Sequence, residues 1–270
     1  MRALWPCDAS AGHRRLPGKT RAHLAPVRRH SDSMHVTPPR VAASTALILA
    51  LSLSHAIAWA NDAPWKSEGA RDGIALFTRH IPGQPLRDFK GVVQIDAPMA
   101  QVAATLADVP TMHEWFYLLE EARFLRGAYT LDSHMYMAIK GIWPTSPRDV
   151  VAHVTVRQDP ATRAIHVDAI SEDGITPPRP GYVRMPTMRS SWTLRPVSAT
   201  RTEVQIEGHG DPGGWIPLPI ANFVVTTLPR QCLEKLRQHV AKPEYRDMEK
   251  VYANNPKLRE MARGFVFPGH

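Results

Sequence analysis

Cysteine is scarce in this sequence: among 270 residues there are two, Cys7 and Cys232. Cys7 belongs to a predicted leader that is described below, so the mature chain keeps one thiol and cannot close an internal disulfide. Cys232 lies in an apolar helical pattern, which predicts a buried structural thiol without a chemical role. A fold held together by disulfides is therefore excluded.

A surplus of basic residues is also absent from most of the chain. Lys and Arg number 33 against 25 Asp and Glu, but residues 1–60 hold eight of the basic and two of the acidic residues. This leaves 25 basic against 23 acidic residues for positions 61–270. Because nucleic-acid binding depends on a strongly positive surface, we expect no nucleic-acid partner.

Common motifs of catalysis and metal binding are missing as well. Residues 61–270 contain eight histidines, and none lies in an H-x-x-x-H or H-E-x-x-H arrangement. The sequence has neither the G-x-S-x-G motif of serine hydrolases nor a P-loop. We therefore expect no metal and no cofactor, and we expect a protein that is not an enzyme.

One long apolar run is present, at residues 41–57, VAASTALILALSLSHAI. Arg40 precedes it, and Ala58-Trp59-Ala60 follows with the A-x-A pattern of a signal-peptidase site. We predict a leader over residues 1–60 with a signal peptide cleaved after Ala60. Met34 is the predicted true start, because it gives the short basic lead MHVTPPR. The product is expected in an exported compartment, a periplasm in particular, and a signal anchor is the alternative.

The segments after the leader predict a helix and then a hairpin. A short helix is predicted at Trp65–Arg71. Residues 74–81 and 86–96 alternate between apolar and polar side chains as strands do, and Pro82-Gly83 marks a turn between them. Ala97-Pro98 then opens a predicted helix, because proline favours the first helical turn.

From residue 121 the hydrophobic period becomes two, which indicates successive antiparallel strands. In the segment around residue 135, Met135 and Met137 share one face, while His134 and Tyr136 point the other way. The residues assigned to the inward face of the next strand are Val150, Ala152, Val154 and Val156.

An amphipathic helix is predicted after this sheet. From Pro219 an apolar stripe runs to Val240, with charged residues on the other side. Pro229 should bend or divide the helix, since proline lacks an amide hydrogen and clashes with the preceding turn. Residues 61–240 are thus predicted to form one domain, and the polar residues 241–270 are interpreted as a C-terminal appendage.

Three short motifs carry a family resemblance. They are Asp108 followed by Trp115, Trp143-Pro144 followed by Pro147-Arg148-Asp149, and Asp211-Pro212-Gly213-Gly214-Trp215-Ile216-Pro217 ahead of the final helix. With the order of elements over about residues 65–240, they make the chain resemble the START family of StAR-related lipid-transfer domains. The resemblance implies an α+β helix-grip fold, in which a curved antiparallel β-sheet wraps around a long C-terminal α-helix and leaves an internal hydrophobic cavity. Most family members bind one lipid or sterol without altering it.

One departure from the family concerns the sterol-carrying members. Some of these have a carboxylate and an arginine facing each other in the cavity. Counting without gaps from Pro147-Arg148-Asp149 places Met135 and Val154 at those positions. The resemblance therefore implies an apolar ligand region without that charged pair, which puts a sterol ligand in doubt.

The inward faces of these elements predict the ligand-binding residues. Exposing an acyl chain to water costs about 0.8 kcal/mol per methylene, so a carrier must offer an apolar lining. Methionine suits such a lining because its side chain is adaptable. The residues expected there are Met135, Met137, Val154, Val156, Met188, Trp192, Val224 and Leu228. A tightly filled core is the alternative.

Two further features have open interpretations. Arg148 and Asp149 are either headgroup ligands or a structural ion pair. The apolar loop Trp215–Pro219 either touches a membrane transiently at the cavity mouth or packs with Trp215 under the last helix.

The expected function is the binding of a hydrophobic ligand, a lipid above all, for transfer or sensing in an exported compartment. One alternative is an enzyme like the polyketide cyclases and aromatases of the same superfamily. His134 or Tyr136 would then act as acid or base, although strand alternation turns both outward. A ligand-free interaction module is the other alternative.

Overall fold

The computed structural model describes residues 63–84 and 86–268, so the predicted leader lies outside the described residues. The strands are β1 (Lys66–Arg71), β2 (Ile74–Arg79), β3 (Asp88–Ile95), β4 (Leu119–Arg126), β5 (Asp132–Ile139), β6 (Arg148–Gln158), β7 (Ile165–Ser171), β8 (Val183–Arg184), β9 (Thr187–Ser198) and β10 (Arg201–Asp211). The helices are α1 (Met99–Ala107), a 3-10 turn (Val109–Thr111), α2 (Met112–Trp115), α3 (Leu218–Thr226), α4 (Leu228–Val240), α5 (Pro243–Arg246), α6 (Met248–Asn254) and α7 (Pro256–Ala262). Among these described helices, none has the length and apolar character needed to cross a membrane.

The strands form one antiparallel sheet in the order β1-β2-β3-β10-β9-β7-β6-β5-β4, and the short strand β8 pairs with β6 in parallel. The chain crosses from β3 to the opposite edge of the sheet through α1 and α2, and it returns by consecutive strands until β10 lies beside β3. The predicted hairpin of β2 and β3 is confirmed, as is the run of antiparallel strands after residue 121. These strands and the packed C-terminal helices confirm the predicted helix-grip fold.

The helix predicted at Trp65–Arg71 is wrong, because Lys66–Arg71 is the edge strand β1 paired with β2. Its six residues are all exposed, so no apolar face marks it as a strand. The strand is held by its backbone pairing with β2 and not by a buried apolar face. Next to it, the Trp65 ring lies under the Arg79 and Lys90 cations at 4.4 and 4.6 Å.

Helix α4 packs closely on the inner face of the sheet. Leu233 and Leu236 of α4 are fully buried in the main hydrophobic core with residues of β2, β3, β9 and β10. The contact depends on Gly91 of β3, since a Cβ atom there would lie 2.8 Å from the Leu233 side chain. A glycine at this position lets the helix approach the strand.

The predicted final helix is divided in two, as Pro229 suggests. Helix α3 ends at Thr226 and α4 begins at Leu228, with Thr227 between them. Pro229 has no amide hydrogen to donate to the carbonyl of Val225, so the hydrogen-bond ladder is interrupted at this point.

The interpretation of residues 241–270 as an appendage needs correction. Helices α5, α6 and α7 pack against the domain, and Tyr245 and Leu258 are buried there. The polar composition of the segment hides this packing, because only a few of its residues, such as Tyr245 and Leu258, are buried. The segment therefore belongs to the folded body and contributes to the site described next.

Candidate ligand-binding cavity

A cavity of about 290 Å³ lies between the inner face of the sheet and the helices. Strands β5, β6, β7 and β9 supply one side of its lining, and α1, α2, α3 and the C-terminal segment supply the other. The lining is almost wholly apolar. Among the described residues, none of those that line the cavity is Asp or Glu, and Arg87, Arg189 and His209 are its basic members.

The structure places every predicted lining residue at this cavity. They are Met135, Met137, Val154, Val156, Met188, Trp192, Val224 and Leu228. Strand alternation explains why the sheet residues among them lie together, since residues two apart along β5 and β6 share a face. Their contact with a ligand stays a prediction.

An aromatic cluster lies at the cavity beneath α2. The Trp115 and Trp192 rings meet edge to face with centroids 5.8 Å apart, and Phe116 is 6.5 Å from Trp192. Trp192 is predicted from the strand pattern, but Trp115 and Phe116 are not, because a four-residue helix shows no periodicity from which a buried face can be read. Edge-to-face contacts of this kind hold aromatic side chains in a fixed arrangement.

The C-terminal segment supplies the largest group of lining residues that the sequence did not predict. They are Tyr252, Leu258, Met261, Ala262, Phe265 and Phe267. The signal was present in the sequence, since Leu258 and Met261 are three residues apart on one helix face and Phe265 and Phe267 alternate around Val266.

Comparison with known proteins agrees with this architecture. Residues 87–241 match the family described as polyketide cyclase / dehydrase and lipid transport. A STAR-related lipid transfer protein of Xanthomonas axonopodis has a crystal structure with a TM-score of 0.60 and 31% sequence identity, covering 66% of this chain and 99% of that chain. The chain belongs to the START family.

Two curated relatives of this START protein extend the comparison. An uncharacterized protein of Pseudomonas aeruginosa is 31% identical over 181 residues, which is 66% of this chain and 87% of that protein. The mitochondrial steroidogenic acute regulatory protein of Gallus gallus is 25% identical over 184 residues, and the match spans 65% of its length.

Met135 and Val154 both lie in one apolar cluster of this START domain. Val154 pairs with Ser133 across the two strands, and Met135 pairs with Ala152. No carboxylate faces an arginine among these four residues. The apolar region that the sequence predicts is therefore present.

The acid–base candidates of the enzyme alternative lie on the outer face of the START sheet. Tyr136 is buried there against Val151, outside the cavity lining, and burial raises the pKa of its phenol. His134 stacks on His153 with ring centroids 4.8 Å apart, and its Nε2 lies 3.0 Å from a carboxylate oxygen of Glu172. Neither candidate can reach a ligand in the cavity from this face.

His134, His153 and Glu172 also bring three possible metal-ligand atoms within 4.8 Å of one another. Two imidazoles and one carboxylate form a donor set that suits zinc. The sequence does not reveal this cluster, because His134 and His153 meet only across the β5–β6 register. His134 Nε2 contacts Glu172 within the cluster, whereas His153 Nε2 lies 2.9 Å from Asp132 Oδ1 outside it.

Two other sequence features that could suggest chemistry, the Cys232 thiol and a glycine motif, have structural positions in the fold. Cys232 is fully buried in α4, and burial raises the pKa of its thiol to about 12, so the thiolate nucleophile is suppressed. Gly208, Gly210 and Gly213 have the G-x-G-x-x-G spacing of dinucleotide sites, but the first two lie in the antiparallel strand β10 and Gly213 lies in the loop that follows it. That motif binds a dinucleotide only within a βαβ unit.

Arg148 and Asp149 do not pair with each other, and neither lines the cavity. Their side chains point to opposite faces of β6, as neighbouring residues of a strand do. Asp149 is fully buried and accepts two hydrogen bonds from the Arg184 guanidinium, at 3.0 and 2.9 Å. The ion pair is structural, and its basic partner is Arg184.

Arg148 instead joins two surface loops. Its guanidinium donates to the carbonyl of Ser146 in the β5–β6 loop and to the carbonyl of Gly213, at 3.3 Å, in the loop before α3. Each loop carries an exposed tryptophan, Trp143 at 90% and Trp215 at 71% relative exposure. The alternative that Trp215 packs under the last helix is therefore wrong.

Proposed function

We propose that this START protein binds a lipid in the cavity and shields it from water during transfer or sensing. The observation that carries the proposal is the apolar cavity with no carboxylate among its described lining residues. Because hydrocarbon gains about 25 cal/mol for each Å² removed from water, such a lining favours an apolar ligand without specific polar contacts. The name of the Xanthomonas relative, a lipid transfer protein, supports the same ligand class.

We further propose that the protein works in an exported compartment such as a periplasm. The support is in the sequence, where the apolar run of residues 41–57 precedes the Ala58-Trp59-Ala60 cleavage pattern. An exported protein of this kind would carry its ligand through an aqueous space between membranes.

Transient membrane contact through the Trp215–Pro219 loop completes the proposal. Trp215 and Leu218 are 71% and 72% exposed, and Trp143 adds a second tryptophan in the loop that Arg148 joins to it. Tryptophan is favoured at the boundary between a bilayer and water, because its ring is both apolar and able to donate a hydrogen bond.

The carrier proposal is tested by expressing the full chain in a bacterium with a periplasm. We expect the periplasmic fraction to contain a product that begins at Asn61, and we expect solvent extraction and mass spectrometry to recover an equimolar lipid. A chemically altered substrate would instead favour the enzyme alternative, and a protein that neither contains nor takes up lipid would favour the interaction module. Material that keeps residues 41–57 in the membrane would contradict export but not lipid binding.

The membrane contact is tested with the double variant Trp143→Ala/Trp215→Ala. We expect binding to vesicles of phosphatidylethanolamine and phosphatidylglycerol to weaken at least about tenfold, since burying a large apolar side chain is worth about 1.5–3 kcal/mol. The matched control is Leu131→Ala, an exposed apolar residue at the far end of β5, which should bind vesicles as the wild type does. Equal losses in both variants, or none in either, would rule out these loops as the contact.

A further inference from the structure

The C-terminal segment, residues 243–268, lies beyond residue 241, where the family match ends. It nevertheless supplies Tyr252, Leu258, Met261, Ala262, Phe265 and Phe267 to the cavity lining. This part of the cavity is therefore built by residues outside the matched START region.

The start of the segment is fastened by a buried polar network. Tyr245, 4% exposed, donates a hydrogen bond of 2.7 Å to Asp108 Oδ2 at the end of α1. Its hydroxyl also lies 3.0 Å from Thr111 Oγ1 and 3.2 Å from His239 Nε2. Buried hydrogen bonds of this kind are costly to break, because the groups left behind would lack partners.

The far end of the segment is fastened to the sheet. The Gln158 side-chain amide donates to the carbonyl of Val266 and accepts from its backbone N–H, both at 2.8 Å. This pairing fixes the backbone between two aromatic residues. Phe265 and Phe267 pack against the main core with ring centroids 6.2 Å apart, while Val266 is 53% exposed.

The two fastened ends place the segment away from the tryptophan loops. Gln158 is the last residue of β6 and Arg148 the first, so roughly 33 Å of extended strand separates the Val266 contact from the Trp143 and Trp215 loops. If a ligand enters near those loops, the C-terminal segment meets its inner end.

The volume of the cavity sets the size of the ligand that this arrangement admits. The volume of about 290 Å³ is the space open to the centre of a water molecule, so the space that ligand atoms can fill is larger, and about ten methylenes of about 30 Å³ each is a lower limit.

We infer that the C-terminal segment is the floor of the binding site and sets the length of the hydrocarbon chain that the site accepts. Phe265, Phe267 and Met261 contact the chain end and limit its length. This inference rests on the proposed function, which supplies a lipid ligand, and adds the residues that select its chain length.

The test uses the purified full-length product and a series of saturated fatty acids of increasing chain length, offered together and read by native mass spectrometry. The wild type should prefer one chain length over shorter and longer members. Phe265→Ala/Phe267→Ala should shift the preferred chain by about four carbons per lost ring, because each deletion leaves room for about that many methylenes. The matched control is Val266→Ala, whose exposed side chain should leave the preference unchanged.

A second variant, with the opposite expected shift in chain length, keeps the test decisive if the double variant does not fold. Met261→Trp adds volume to the floor and should shift the preference to shorter chains, so it decides the question if the double variant loses its circular dichroism signal. Unchanged preferences in folded variants would overturn the floor while leaving lipid binding intact. Failure of the wild type to bind any lipid would overturn the proposed function itself.

Discussion

Val154→Asp is expected to abolish the uptake of hydrophobic ligand, with a loss of affinity of at least about a hundredfold. Val154 is 8% exposed and lies in the apolar cluster with Met135 and Ala152 at the cavity. A carboxylate there would lose its hydration among apolar side chains, and an unpaired buried polar group costs about 2–7 kcal/mol. A fluorescent fatty acid, titrated into wild type and variant, measures the loss.

A pH dependence and a control at a neighbouring position would show that the loss of uptake comes from a charge inside the cavity. Burial raises a carboxyl pKa, so the variant should recover part of its uptake in mild acid, where the side chain is neutral. The matched control is Ile170→Asp, which adds the same charge at a 42% exposed position beside the lining residue Ala169. Trp192→Arg should lose uptake as Val154→Asp does. Full uptake by either cavity variant would remove that residue from the binding site.

Asp149→Ala is expected to destabilise the protein by about 3–5 kcal/mol, because it leaves the Arg184 guanidinium buried without its carboxylate. The Asp149 side chain is fully buried and that of Arg184 is 12% exposed. At about 2–4 °C per kcal/mol for a domain of this size, the melting temperature should fall by about 10 °C. Thermal unfolding followed by circular dichroism measures the change.

Two comparisons separate the ion pair from a general effect of mutation. Asp149→Leu/Arg184→Met removes both charges and should recover much of the loss, since a buried pair replaced by apolar residues is often neutral. Glu260→Ala removes an exposed ion pair with Arg263 and should leave the melting temperature unchanged. A double variant as unstable as Asp149→Ala would show that the burial of an unpaired charge is not the cause.

The stabilisation from Asp149 should also depend on pH. Burial alone would raise the pKa of its carboxyl, but hydrogen bonds from Arg184 and from the Arg179 backbone N–H, with the Arg184 charge, lower it. The folded pKa thus lies below the unfolded value of about 3.9, so the contribution is present above that pH and is lost as the pH falls through the folded pKa. In strong acid the wild type and Asp149→Ala should converge in stability.

The sheet and its inner face could be predicted from the sequence because a strand buried on one side repeats every two residues. Val154 and Val156 were assigned inward on this ground alone, and both line the cavity. The edge strand β1 could not be found in this way, since all its residues are exposed and its partner is another backbone. Pairing across the sheet, as between His134 and His153, is likewise a property of register and not of one segment.

The family pattern had a different limit. It led to the domain over residues 61–240 and to the cavity, but it offered nothing for the segment that follows, where Phe265 and Phe267 reach the same cavity. The apolar side chains of this segment are few and are spread among charged residues, so its composition resembles that of a solvent-exposed tail. Contacts between Val266 and Gln158, 108 positions apart, are set by the folded chain as a whole.

The guanidinium of Arg148 has a consequence for geometry. It is held between the carbonyls of Ser146 and Gly213, so it fixes the separation of the two loops that present Trp143 and Trp215. If both rings enter a bilayer, this one guanidinium would set how the two tryptophans are presented together to the lipid surface.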